Sequence, residues 1–240
     1  MTLALMMGPY WWMAIPPMLV ALWAQYRLQS TYSELSQVGT DRGMTGAEAA
    51  REILDRNGLA GVPIHEVPGE LTDHYDPTKR AVFLSEGTAY STSVAAVGVA
   101  AHEVGHALQH KEAYSMLGLR MALVPVTGIA STASTILIFI GFLLGQMRGF
   151  YGLGNTLLIL GIGFFSLVAF FQIITLPVEY DASSRAKAQL QRLGLVTPRE
   201  HEGVDRVLSA AALTYVAAMF AAVSQLLQLM LTARSRDDER

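Results

Sequence analysis

Four stretches of this chain constrain its fold more than anything else in it. Residues 3–26, 121–144, 153–178 and 207–231 are each long and apolar, and about 20 residues of apolar helix suffice to cross a hydrocarbon core of about 30 Å. Composition agrees: hydrophobic residues make up 52% and charged residues only 15%, against about 25% charged in an ordinary soluble domain. The expectation is a mainly α integral membrane protein with about four transmembrane helices.

The first stretch has no basic segment before its apolar run, and Trp11, Trp12 and Trp23 suit interfacial anchors, so it reads as a retained span rather than a cleaved leader. The second and third are separated only by GQMRGFYG, a connection short enough to impose an antiparallel helical hairpin. The fourth is alanine-rich and carries Ser209, Thr214, Ser224, Gln225 and Gln228; it reads either as a span or as an amphipathic helix packed at the membrane. The polar regions 27–120 and 179–206 hold 13 of the 17 lysines and arginines. By the positive-inside tendency both face the cytoplasm.

The net charge of -3 and pI near 6.1 leave no basic face for nucleic acid. The chain has no cysteine, so disulfides, thiolate metal sites and cysteine nucleophiles are excluded. In the large polar region, Thr45 to Glu48 has the form of a capping box opening a helix that Gly58 ends. VPIHEV and RAVFLS read as short strands around a turn-like DHYDPTK, and helix resumes from about Thr88 to His110.

That last helix contains AHEVGHALQH, with three of the six histidines. His102 and His106 are one turn apart, so their imidazoles project from one face about 6 Å apart along the axis. Such a pair suits one tetrahedral zinc ion, and Glu103 between them can take a proton from a zinc-activated water. Gly105 is expected to leave room beside the metal. His110 lies about 12 Å beyond His102 on a straight helix, too far to share an ion with both histidines; it is expected to cap the helix end or line the rim. A third ligand must come from elsewhere. Glu179, just after Pro177 at the end of the third apolar stretch, is the candidate, against the plain alternative of a glutamate paired with Arg185 or Lys187. Pro177 removes a backbone donor and can kink the chain before it. His65 and His201 have no comparable context.

GMTGAEAAREILDRNGL, LTDHYDP, VAAHEVGHALQH, LPVEYDASSRA and VLSAAALTYVAA together resemble the YugP-like family of bacterial membrane zinc metallopeptidases, along most of the chain. That family is similar in plan to HtpX-type proteases, whose HExxH helix is completed by a glutamate on a later helix. The resemblance implies a gluzincin-like α+β zinc-protease region, Zn2+ held by His102, His106 and Glu179, and Glu103 as catalyst. With the apolar stretches and the charge bias, the order expected is first transmembrane helix (1–26), cytoplasmic protease region (27–120), transmembrane hairpin (121–178), cytoplasmic segment carrying the third ligand (179–206), fourth transmembrane or membrane-packed helix (207–231) and polar tail (232–240). The HtpX-type pattern has an aspartate four residues after the ligand glutamate, supporting a zinc histidine; here that position is Ser183, and the nearby aspartate is Asp181. In such peptidases a strand beside the active helix pairs with an extended substrate backbone and a further donor steadies the oxyanion. RAVFLSEG fits the strand, and His74 or Tyr75 could supply the donor.

The function expected is a multi-pass zinc metallopeptidase of the bacterial cytoplasmic (inner) membrane, its site facing the cytoplasm, acting on a peptide or membrane-protein substrate. The lipid bilayer is a partner, and a second copy or another membrane protein is a candidate one. The alternative is a catalytically idle, zinc-stabilised scaffold or adaptor, against which the presence of Glu103 speaks, because a structural site needs no general base.

Overall fold

The computed structural model describes residues 10–238, with side chains described through 236, so positions 3–9 of the first apolar stretch and Arg240 of the tail lie outside the described residues. After a short 3-10 turn, Trp11–Ala14, the elements in order are α1 (Ile15–Ser36), α2 (Gly46–Arg56), β1 (Ile64–Val67), β2 (His74–Asp76), β3 (Ala81–Ser85), α3 (Glu86–Ala89), α4 (Val94–Lys111), α5 (Ser115–Leu144), α6 (Tyr151–Arg192) and α7 (Pro198–Asp238). The chain divides into two compact units. One comprises the described residues up to Trp23 with Leu119–Leu176 and Tyr215 onward; the other comprises Ala24–Gly118 and Pro177–Thr214.

Among the described residues, three helices are long and apolar enough to cross a membrane: Ser115–Leu144, Tyr151–Arg192 and Pro198–Arg236, with mean hydropathy of 1.9, 2.5 and 1.9; the first unit holds their parts within Leu119–Leu176 and from Tyr215 onward. The fourth apolar stretch is thus part of one continuous helix. Large side chains such as Ile129, Phe139, Leu153 and Phe170 remain exposed on these helices. An apolar surface of that extent does not suit water and fits a lipid surround. Residues 145–150 join α5 to α6, and the two pack backbone against backbone: a Cβ added at Gly141 would lie 2.6 Å from the Leu158 amide nitrogen. Small residues at such a crossing let transmembrane helices approach closely.

The second unit is built around α4, which is buried on nearly all sides because alanine, glycine and valine fill most of its positions. Ser93 caps it by accepting a hydrogen bond from the Ala96 amide. Around α4 pack Ile53 and Leu54 of α2, Val82 and Leu84 of β3, Leu190 of α6 and Val204 and Leu208 of α7. The capping box of α2 is present: the Thr45 hydroxyl accepts from the Glu48 amide and the Glu48 carboxylate accepts from the Thr45 amide. Gly58, at φ +69°, follows its end, in the left-handed region that glycine enters without a steric penalty.

The sheet has the order β1-β3-β2, with β1 parallel and β2 antiparallel to β3. β2 forms inside DHYDPTK, where the sequence suggested only a turn. Tyr75 pairs with Val82, and the tight turn follows at Asp76, whose carboxylate accepts from the Thr78 and Lys79 amides. The helix expected from Thr88 is likewise broken, into α3 and α4, because Ser91 and Ser93 cap the new start rather than continue the old helix.

Candidate metal centre

His102 and His106 lie on α4, and Glu179 lies on α6 immediately beyond its apolar stretch. His102 and Glu179 are 77 residues apart in sequence. The fold nevertheless brings one ligand atom from each of His102, His106 and Glu179 within 4.8 Å of the others. Glu179 Oε2 stands 3.2 Å from His102 Nε2 and 3.6 Å from His106 Nε2. Two atoms bound to one tetrahedral ion at about 2.0 Å lie about 3.3 Å apart. The observed separations fit that edge.

What allows α6 to come so near is Gly105. A Cβ there would stand 2.4 Å from the Ala182 carbonyl oxygen, on the turn of α6 that follows Glu179. Gly105 therefore makes room for a backbone, not for the metal as its sequence context suggested. A Gly105→Ala variant should lose about 1–3 kcal/mol of stability, the usual cost of forcing a methyl group into a packed contact, read as a lower Tm and a weaker hold on zinc.

The contacts behind the three side chains set their chemistry. Gln109 is wholly buried, and its amide nitrogen donates to the Val178 carbonyl and to Asp181 Oδ2, both at 2.8 Å. Its amide oxygen must then face His106, and it accepts from His106 Nδ1 at 2.9 Å. With its proton on Nδ1, neutral His106 turns a bare Nε2 lone pair toward a carboxylate. Two acceptors held that way repel unless a positive charge lies between them. Ser183 Oγ stands 3.1 Å from His102 Nδ1, the same supporting position for the other histidine. Both residues that competed for that role are thus used, Ser183 directly and Asp181 through Gln109.

Electrostatics show the same demand for positive charge beside Glu179, met in the protein alone by a proton on His106. Burial pushes the His106 imidazole down, but the hydrogen bond and charge of Glu179, the charge of Glu103 and the Gln109 contact outweigh it and leave its pKa raised. Burial pushes the Glu179 carboxyl up, but the hydrogen bonds and charges of His102 and His106 outweigh it and hold its pKa well below the usual carboxylate range. The site favours an ionised carboxylate with a cation beside it. The donor set of two imidazoles and one carboxylate suits Zn2+ with a position left for water.

Arg185 pairs with Asp181 and Glu112, and Lys187 with Asp205, so neither is the partner of Glu179 that the plain alternative required. α6 runs unbroken through Pro177. Glu103 is buried at 8% exposure and lies close enough for its charge to bear on His106. The ring of His110 meets Tyr75, whose Oη shares a hydrogen bond with His110 Nδ1 at 2.8 Å. This tyrosine is half-buried, whereas His74 is exposed, stacks on Phe83 and contacts the Thr72 carbonyl through Nδ1. Gln109 is the neighbour of these side chains that sequence reasoning missed. Its only signal was a polar side chain on a helix otherwise small and apolar, at i+3 from His106.

Comparison with known proteins bears directly on this centre. The family described as "Putative neutral zinc metallopeptidase" matches residues 10–234. The chain is also 48% identical over 220 residues to the "Putative membrane protease YugP" of Bacillus subtilis (strain 168), covering 92% of this chain and 94% of that protein. No solved structure matches it significantly. A match of that length, to a family defined by zinc, accords with the ligands that α4 and α6 bring together, and the chain belongs to this zinc metallopeptidase family.

Proposed function

We propose that this chain is a membrane-anchored zinc peptidase that hydrolyses peptide bonds with His102, His106 and Glu179 as metal ligands and Glu103 as general base. The observation that carries the reading is the convergence of those three ligand atoms beside a buried glutamate that is not among them. When bound, zinc supplies a Lewis acid that activates water and polarises the substrate carbonyl. Glu103 accepts the proton of the attacking water and delivers it to the leaving amide nitrogen. His102 and His106, oriented from behind by Ser183 and Gln109, keep their ligating nitrogens directed at one point. Tyr75 is favoured over His74 as the donor to the developing oxyanion, because its phenol is already turned toward α4, one turn beyond His106, through His110.

The substrate is a peptide or a segment of a membrane protein; β3, the strand the sequence offered for pairing with it, is already paired on both sides by β1 and β2, so an added strand could join only at β1 or β2. The site's placement on the cytoplasmic face of a bacterial inner membrane is supported by the 13 lysines and arginines in residues 27–120 and 179–206, against 4 elsewhere.

The direct test is metal removal. Purified full-length chain in detergent should cleave an unfolded protein substrate, lose that cleavage on chelation, and regain it with stoichiometric Zn2+ but not Mg2+. Cleavage that persists in the chelated protein would sink the proposal.

A further inference from the structure

A single line of hydrogen bonds runs from the surface of the second unit to the metal group. Glu112, at the C-terminal end of α4, pairs with Arg185 of α6. Arg185 Nε donates to Asp181 Oδ2, the same oxygen that accepts from Gln109 Nε2. Gln109 Oε1 in turn accepts from His106 Nδ1. Every link is a donor facing an acceptor, and every side chain except that of Glu112 is at least partly buried.

We infer that Gln109 is a positioning residue for the metal, an amide spacer through which Asp181 and Arg185 act on His106 and commit its Nε2 to ligation. This deepens the proposed function and rests on its ligand assignment. A carboxylate touching the histidine directly would add a further negative charge to a site that already holds Glu179 and Glu103. The amide transmits the orientation of Asp181 without moving its charge inward. It can do so because it offers two donors on one side and an acceptor on the other. Gln109 also donates to the Val178 carbonyl, the residue before Glu179, so one side chain ties His106 to the backbone that carries the third ligand. The two ligand-bearing helices are thereby locked in register at the metal.

The inference predicts a particular pattern of energetic coupling. Zinc affinity is measured on the full-length chain in detergent, by competition with a chromophoric chelator, for wild type, Gln109→Met, Asp181→Ala and the double variant. Gln109→Asn, which retains an amide but is one methylene too short to reach both partners, is measured alongside. Loss of an outer partner of a metal histidine commonly weakens binding about 10–100-fold, and both Gln109 variants should show a loss of that size. Asp181→Ala should weaken zinc in the wild-type background and add little in the Gln109→Met background, because its path to His106 is already cut. Thermal unfolding of the chelated proteins separates this from general loosening, which would lower Tm without that dependence. Unchanged affinity in the Gln109 variants, or equal effects of Asp181→Ala in both backgrounds, would overturn the relay. A wild-type chain that binds zinc tightly yet cleaves nothing would defeat the peptidase reading alone. One that binds no zinc would defeat both.

Discussion

Glu103→Gln should leave a protein that binds zinc as the wild type does and cleaves peptides at least about 100-fold more slowly, the lower end of what a positioned general base contributes. The two outcomes separate because Glu103 is not one of the three groups whose ligand atoms converge. Glutamine keeps the size and an acceptor oxygen, so the buried position remains filled, but it cannot take up a proton at neutral pH. Zinc content per chain and initial cleavage rates on the same preparation are the measurements. Turnover at the wild-type rate would show that Glu103 is not the base and would reopen the alternative of an idle scaffold that keeps zinc for stability.

Glu179→Ala should have the opposite signature: zinc itself is lost. Removing a direct ligand leaves two imidazoles, so affinity should fall by more than the about 10–100-fold expected for an outer partner. Glu179 is also almost fully buried at 1% exposure, so truncation to alanine would empty a packed position as well as remove a carboxylate. Glu179→Gln is therefore the cleaner companion, since it keeps the volume and removes the charge. Metal analysis after gel filtration should show both variants depleted of zinc. Full occupancy in either would remove Glu179 from the ligand set.

The contrast between these residues shows how much was legible in the amino-acid order. His102 and His106 could be paired from spacing alone, because helix geometry places i and i+4 on one face whatever surrounds them. The apolar stretches announced spans for an equally local reason: length and hydropathy decide what can lie in lipid. The capping box at Thr45 needed only its own turn. Glu179 was legible as a carboxylate of the right type at the end of an apolar stretch, but its meeting with His102, 77 positions away, was not a local property. It depends on Gly105 meeting the Ala182 carbonyl, a contact between two helices that no periodicity displays.

β2 and Gln109 mark the same boundary from the other side. DHYDPTK has the composition of a turn, and it becomes a strand only because β3 offers an edge to pair with. Gln109 looked like one polar residue in a buried helix; its three partners lie on α4 and α6 and exist as a set only once those helices have docked. Membrane residence, the histidine pair and its attendant glutamate therefore follow from short-range spacing and hydropathy. The approach of Glu179 to that pair, the supporting hydrogen bonds and the partner of His110 follow from long-range packing, because a buried polar group acquires its surroundings from whichever donors and acceptors the fold sets against it.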